Sequence, residues 1–89
     1  MKKLNFNFLL KDLLGNEIAD ANAGKLLANL LSSDNGKNPM KFWTWAMAIF
    51  KGESIEVDGQ DKDLLKTFIT DSDKLTSLSK AQLLEVMNK

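Results

Sequence analysis

The 89-residue chain sets twelve Lys against twelve acids, is 44% hydrophobic, and contains no His, Cys, Tyr or Arg. Those four types supply most general bases near neutral pH, soft metal ligands, thiol nucleophiles and bidentate phosphate clamps, so their joint absence excludes whole classes of chemistry. The length predicts a single globular domain over residues 1–89, held by a core of Leu, Phe, Ile, Met and Trp, and zero net charge provides no global field toward nucleic acid or an anionic membrane.

Met1-Lys2-Lys3 opens like a signal peptide, but Asn5, Asn7, Lys11 and Asp12 interrupt the apolar stretch behind it. The longest unbroken apolar run is Trp45 to Phe50, far below the ~20 residues that span a bilayer. A cytoplasmic protein without membrane contact is therefore expected.

Leu4, Phe6, Phe8 and Leu10 alternate with Asn5 and Asn7, the period-two pattern of a strand with one buried face. Gly15-Asn16 supplies a turn and Glu17-Ile18-Ala19 a short return strand, which predicts a β-hairpin near residues 3–20, with Leu13-Leu14 blurring its loop boundary. Asn22 is placed to cap a helix from Ala23 to about Ser33, whose Leu26, Leu27, Leu30 and Leu31 form one apolar stripe. Ser33-Asp34-Asn35-Gly36-Lys37 reads as a loop. Asn38-Pro39 restarts a helix, Asn as cap and Pro at the first helical position, and Gly52 is its C-terminal stop.

Ser54 to Asp58 alternates again, with Ile55 and Val57 on one face, and predicts a third strand beside the hairpin. Asp58 or Asp61 caps a helix bearing Leu64, Leu65, Phe68 and Ile69. After Asp71-Ser72-Asp73 comes a turn with Leu75 and Leu78, and the capping-box spacing of Ser79 and Gln82 opens a last helix with Leu83, Leu84 and Met87. The expected fold is α+β: an N-terminal β-hairpin or small three-stranded antiparallel sheet packed with three main helices and a short C-terminal turn and helix.

On a wheel of about 100° per residue, Lys41, Thr44, Ala48 and Lys51 share one narrow arc of the helix beginning at Pro39, and apolar residues fill roughly 220° of the rest. That is twice what resting on one surface requires. Trp43 and Phe50 lie near the middle of the arc and are expected in the core. Trp45 lies at its edge and is expected to be partly exposed, so Met40, Lys41, Trp45, Met47 and Ala48 form the candidate contact surface for a protein partner or for self-association.

Charge is uneven along the chain: residues 53–73 hold seven acids and two Lys. Glu53, Glu56, Asp58, Asp61 and Asp63 form a candidate acidic surface for a basic protein. Neither acidic stretch continues with the Gly and Glu positions of a calcium loop, so capping explains them better and no metal or cofactor is expected. The glycines form no phosphate-binding loop or dinucleotide fingerprint, and no enzyme activity is expected. Nucleic-acid binding through Lys41, Trp45 and Lys51 is the alternative; missing Arg and the neutral total weigh against it.

Lys41-Phe42-Trp43-Thr44-Trp45-Ala46 through Lys51-Gly52-Glu53, then Ile55, Val57, Leu65, Leu75-Thr76 and Ala81-Gln82-Leu83-Leu84, resembles small proteins encoded in tailed phages and prophages over the C-terminal half. The resemblance implies an accessory, assembly or host-interaction role in place of catalysis, and it transfers no functional residue. The sequence reading as a whole points to a non-enzymatic protein-interaction module.

Overall fold

A computed structural model describes residues 2–34, 36 and 38–88; Asn35 and Lys37 of the expected loop lie outside the described residues. The elements run β1 (Lys2–Leu4), β2 (Leu9–Lys11), β3 (Glu17–Asn22), α1 (Ala23–Ser32), α2 (Pro39–Phe50), β4 (Ile55–Val57), α3 (Gly59–Asp71) and α4 (Ser77–Met87).

The fold is α+β, but the single N-terminal strand expected over Leu4–Leu10 is broken in two. Asn5 Oδ1 accepts a bond from the Asn7 amide at 2.8 Å, and the Phe8 amide donates to the Phe6 carbonyl at 2.9 Å. Asn side chains compete in this way with a ladder for backbone donors, and the chain bends where they win. The bend sends β1 to β4, pairing antiparallel with Lys2 opposite Val57 and Leu4 opposite Ile55. It sends β2 to β3, with Leu9 opposite Asn22 and Lys11 opposite Glu17 and an irregularity between them. Two separate two-stranded ribbons replace the three-stranded sheet. Of the alternating residues, Leu4, Phe6 and Leu10 are buried through the bend and Phe8 is half-buried against the core.

Four full helices cover the ribbons, α4 being an eleven-residue helix and not a short turn. Asn22 caps α1 by accepting from the Lys25 amide at 3.0 Å, and Asp58 caps α3 by accepting from Asp61 at 2.7 Å. Asn38 differs from expectation, because its side chain makes no capping bond; α2 starts on Pro39 and on the Asn38 carbonyl, which accepts from Phe42 at 3.0 Å. The cap of α4 is Thr76, which accepts from the Ser79 amide at 3.2 Å, so Ser79 lies inside the helix and is buried. Gln82 is thereby released from the expected capping box. It reaches across to the edge of β2, where Oε1 accepts from the Lys11 amide at 2.8 Å and Nε2 donates to the Lys11 carbonyl at 2.7 Å.

α2 ends as its sequence predicts. Gly52 adopts φ +81°, its amide donates to Ile49 and the Glu53 amide to Ala48, both at 3.0 Å, which satisfies the last carbonyls. A Cβ at Gly52 would meet Asn7 Nδ2 at 3.0 Å, so the turn is also tight against the Asn bend. The core runs continuously through Leu4, Phe6, Leu27, Leu31, Leu65, Ile69, Leu83 and Met87. Among the described residues no helix is long and apolar enough to cross a membrane.

Candidate interaction surface on helix α2

α2 packs chiefly on α1, and the contact is close because Gly24 of α1 brings its Cα to where an added Cβ would lie 3.2 Å from the Ile49 carbonyl. On the inner face of α2, Phe42, Trp45, Ala46 and Ile49 are buried. Phe42 stacks on Trp45 with ring centroids 5.9 Å apart and meets Phe68 of α3 edge-on at 5.1 Å. This corrects the expectation for both tryptophans. Trp45 is only 6% exposed and belongs to the core, whereas Trp43 and Phe50, expected in the core, are 54% and 53% exposed. The apolar arc was wide enough for two readings, and α1, β4 and α3 cover the end of it on which Trp45 lies.

The outer part of the arc is uncovered. Met40 and Met47 are 75% and 44% exposed and join Trp43 and Phe50 at i, i+3, i+7 and i+10, which places all four within roughly 80° of the helix circumference. Beside them, α1 and α2 form a groove of about 210 Å³ whose floor holds the buried Ala28 and Ala46 and whose walls include Trp43, Met47 and Phe50. Small residues on facing positions of the two helices make the hollow; large apolar residues line its edge. Lys51 closes one end, and Lys25 of α1 places its ammonium 5.7 Å from the centre of the Phe50 ring. Neither α1 nor α2 contains an acidic residue.

The remaining residues singled out from the sequence are divided. Met40, Lys41 and Met47 are exposed, and Ala48 is half-buried. Lys41 is not a free contact cation: it forms an ion pair with Asp61 of α3 and lies 5.8 Å from the centre of the Trp45 ring. The hydrogen bond that Lys41 donates to Asp61 raises the Lys41 pKa above the ordinary lysine value; partial desolvation opposes it, and the charges of Asp61 and Asp58 add to it. The candidate contact surface and the candidate acidic surface therefore meet at this one pair. Asp58 is committed to its cap, Glu56 points outward between the buried Ile55 and Val57, and Glu53 and Asp63 are exposed. Among the described residues no three His, Cys, Asp or Glu gather as a metal site would need.

The nucleic-acid alternative placed stacking on Trp45 and phosphate contact on Lys41 and Lys51; Trp45 is buried, Lys41 is paired with Asp61, and Lys51 is exposed. A larger hollow of about 600 Å³ opens between α1, α2 and the end of α3, with Asp34, Asp71, Asp73 and Lys74 on its rim. Its apolar lining, Leu30, Phe42, Leu64 and Phe68, is buried or half-buried, unlike the exposed row on α2.

Sequence reasoning missed Trp43 and Phe50 as surface residues and passed over Ala28, Ala46 and Lys25. The i, i+3, i+7, i+10 spacing of Met40, Trp43, Met47 and Phe50 was the available signal, since it is a complete helical row in itself. No family model, no curated protein and no solved structure matches the chain.

Proposed function

We propose that this chain is a non-enzymatic protein-interaction module whose docking surface is the α1–α2 groove with its row of Met40, Trp43, Met47 and Phe50. The observation that carries the reading is that row: four large apolar side chains left in water on one helix face, beside a hollow with an apolar floor. Contiguous exposed apolar surface on a small domain marks an interaction site. Trp is enriched among the residues that dominate interfaces, and Met adapts its shape to a partner. At about 210 Å³ the groove is smaller than a pocket for a cofactor-sized ligand and suits one or two inserted side chains. The resemblance to small phage proteins extends this reading to an accessory or assembly factor.

Site-specific photo-crosslinking in the producing cell tests it. A photoreactive residue at Met47 is expected to give protein adducts that Phe50→Glu abolishes, while one at Lys66, on the exposed side of α3, gives none. Equal adducts from both positions, or none from Met47, would remove α2 as the docking surface.

A further inference from the structure

A second apolar feature stands uncovered at the opposite kind of site, a protrusion in place of a hollow. Leu13 and Leu14, at the tip of the β2–β3 hairpin, are 96% and 87% exposed. The turn beneath them is tightly bonded. Asp12 Oδ1 accepts from the Leu14 amide at 2.9 Å and from Asn16 at 3.0 Å, the Asp12 carbonyl accepts from Gly15 at 3.0 Å, and the Asp12 amide donates to the Asn16 carbonyl at 2.9 Å. Gly15 completes it with φ +86°. Gln82 anchors the root of the hairpin at Lys11 through its two bonds. Two adjacent leucines are thus held outward on an ordered turn, which lowers the ordering cost of burying them in a partner.

Tip and groove are complementary in shape and in charge. The tip presents two adjacent exposed leucines, and the groove of about 210 Å³ has mostly apolar walls with Asn29, Ser32 and Lys51 among them. Near its tip the hairpin carries Asp12 and Glu17 with Lys11, Asp20 at its root sharing a hollow with Lys25 of the same chain, whereas the groove is bordered by Lys25 of α1 and by Lys51, which follows α2, and neither helix holds an acid. The exposure of both leucines shows that the tip does not occupy the groove of its own chain.

We propose that the Leu13-Leu14 tip of one copy of this chain docks into the α1–α2 groove of a second copy. The inference rests on the groove being a docking surface, and it names the occupant. Because the two surfaces differ, the contact is head-to-tail: each docked copy keeps one unused tip or groove, and association continues to a ring or an open chain. A prong in a slot buries less than a standard interface, so the contact is weak and assembly depends on concentration; charge complementarity makes it weaker in high salt.

Sedimentation velocity of the full chain from about 10 µM to 1 mM is the test, a range chosen for a contact of this small size. The unmodified chain is expected to show a rising average mass. The double tip variant Leu13→Ser/Leu14→Ser and the groove variant Phe50→Glu are each expected to remain monomeric, with circular dichroism showing both folded. Mixed in equal amounts, they are expected to form a 1:1 dimer and stop, since only one intact tip and one intact groove remain to meet. Met47→Glu serves as a second groove variant should Phe50→Glu disturb folding. A monomeric unmodified chain over the whole range, association of the tip variant with itself, or a mixture that stays monomeric would each overturn the proposal. Protein adducts at Met47 that contain another protein, with a monomeric chain in the centrifuge, would sink the self-docking inference and leave the docking surface standing.

Discussion

The inner face of α2 holds Phe42, Trp45, Ala46 and Ile49, and the outer face holds Met40, Trp43, Met47 and Phe50. Each has a Trp and a Phe, and hydropathy barely separates them, yet one is sealed and the other wet. The difference lies in what surrounds them. α1, β4 and the Phe68 ring of α3 close over the inner face, while the outer face borders only the shallow groove above Ala28 and Ala46. Burial is therefore a property of the packing partner as much as of the side chain, and in a domain this small the partners run out before the apolar arc does.

The most severe way to break this comparison is to truncate one Trp on each face. Trp45→Ala is expected to destabilise by about 3–5 kcal/mol in urea unfolding, because it opens a cavity against the Phe42 ring, which itself packs on Phe68. Trp43→Ala should change stability by no more than about 0.5 kcal/mol. Equal losses would mean that the outer face is core after all.

The two ribbons sharpen the same contrast. β1–β4 lies within the core through Leu4, Ile55 and Val57, whereas every residue from Lys11 to Asp20 in the β2–β3 hairpin is exposed, and the hairpin is held to the body at its root, by the buried Leu10 and by Gln82. Gln82→Ala is expected to cost about 1–2 kcal/mol and to speed hydrogen exchange at the Lys11 amide. Amides of β4 should keep their protection. Equal acceleration in both ribbons would show that the hairpin is not a separately held arm.

The smallest effect lies at the boundary between the faces, where Lys41 meets Asp61 over the edge of Trp45. The folded pKa of Lys41 is raised, so the stabilisation from this pair is complete below the ordinary lysine value and is lost as pH rises through the folded value. An NMR titration of the Lys41 ε-methylene group should find it deprotonating above the ordinary lysine value, and Asp61→Asn should return it toward that value. Were Lys41 to deprotonate at the ordinary lysine value in the unmodified chain, the pair would not persist in solution.

Local chemistry in the chain was enough to place most elements. Pro39 at a helix start, Gly52 at its end, Asn22 and Asp58 as caps, and the alternation of Leu4, Phe6 and Leu10 each act through bonds or sterics spanning a few residues, and each holds in the fold. Helical periodicity likewise established that α2 carries an apolar arc wider than one contact. Which part of that arc is covered is a long-range matter, because it depends on where α1, β4 and α3 arrive. The tertiary structure gave Trp45 the core and left Trp43 and Phe50 outside. It also turned the Asn5–Phe8 bend into two ribbons, since that bend competes with a ladder whose partner strand, β4, lies some fifty residues away. Leu13 and Leu14 stand between these cases: their turn is written in Asp12, Gly15 and Asn16, but their exposure is decided by tertiary packing, which among the described residues brings no other element over the hairpin tip.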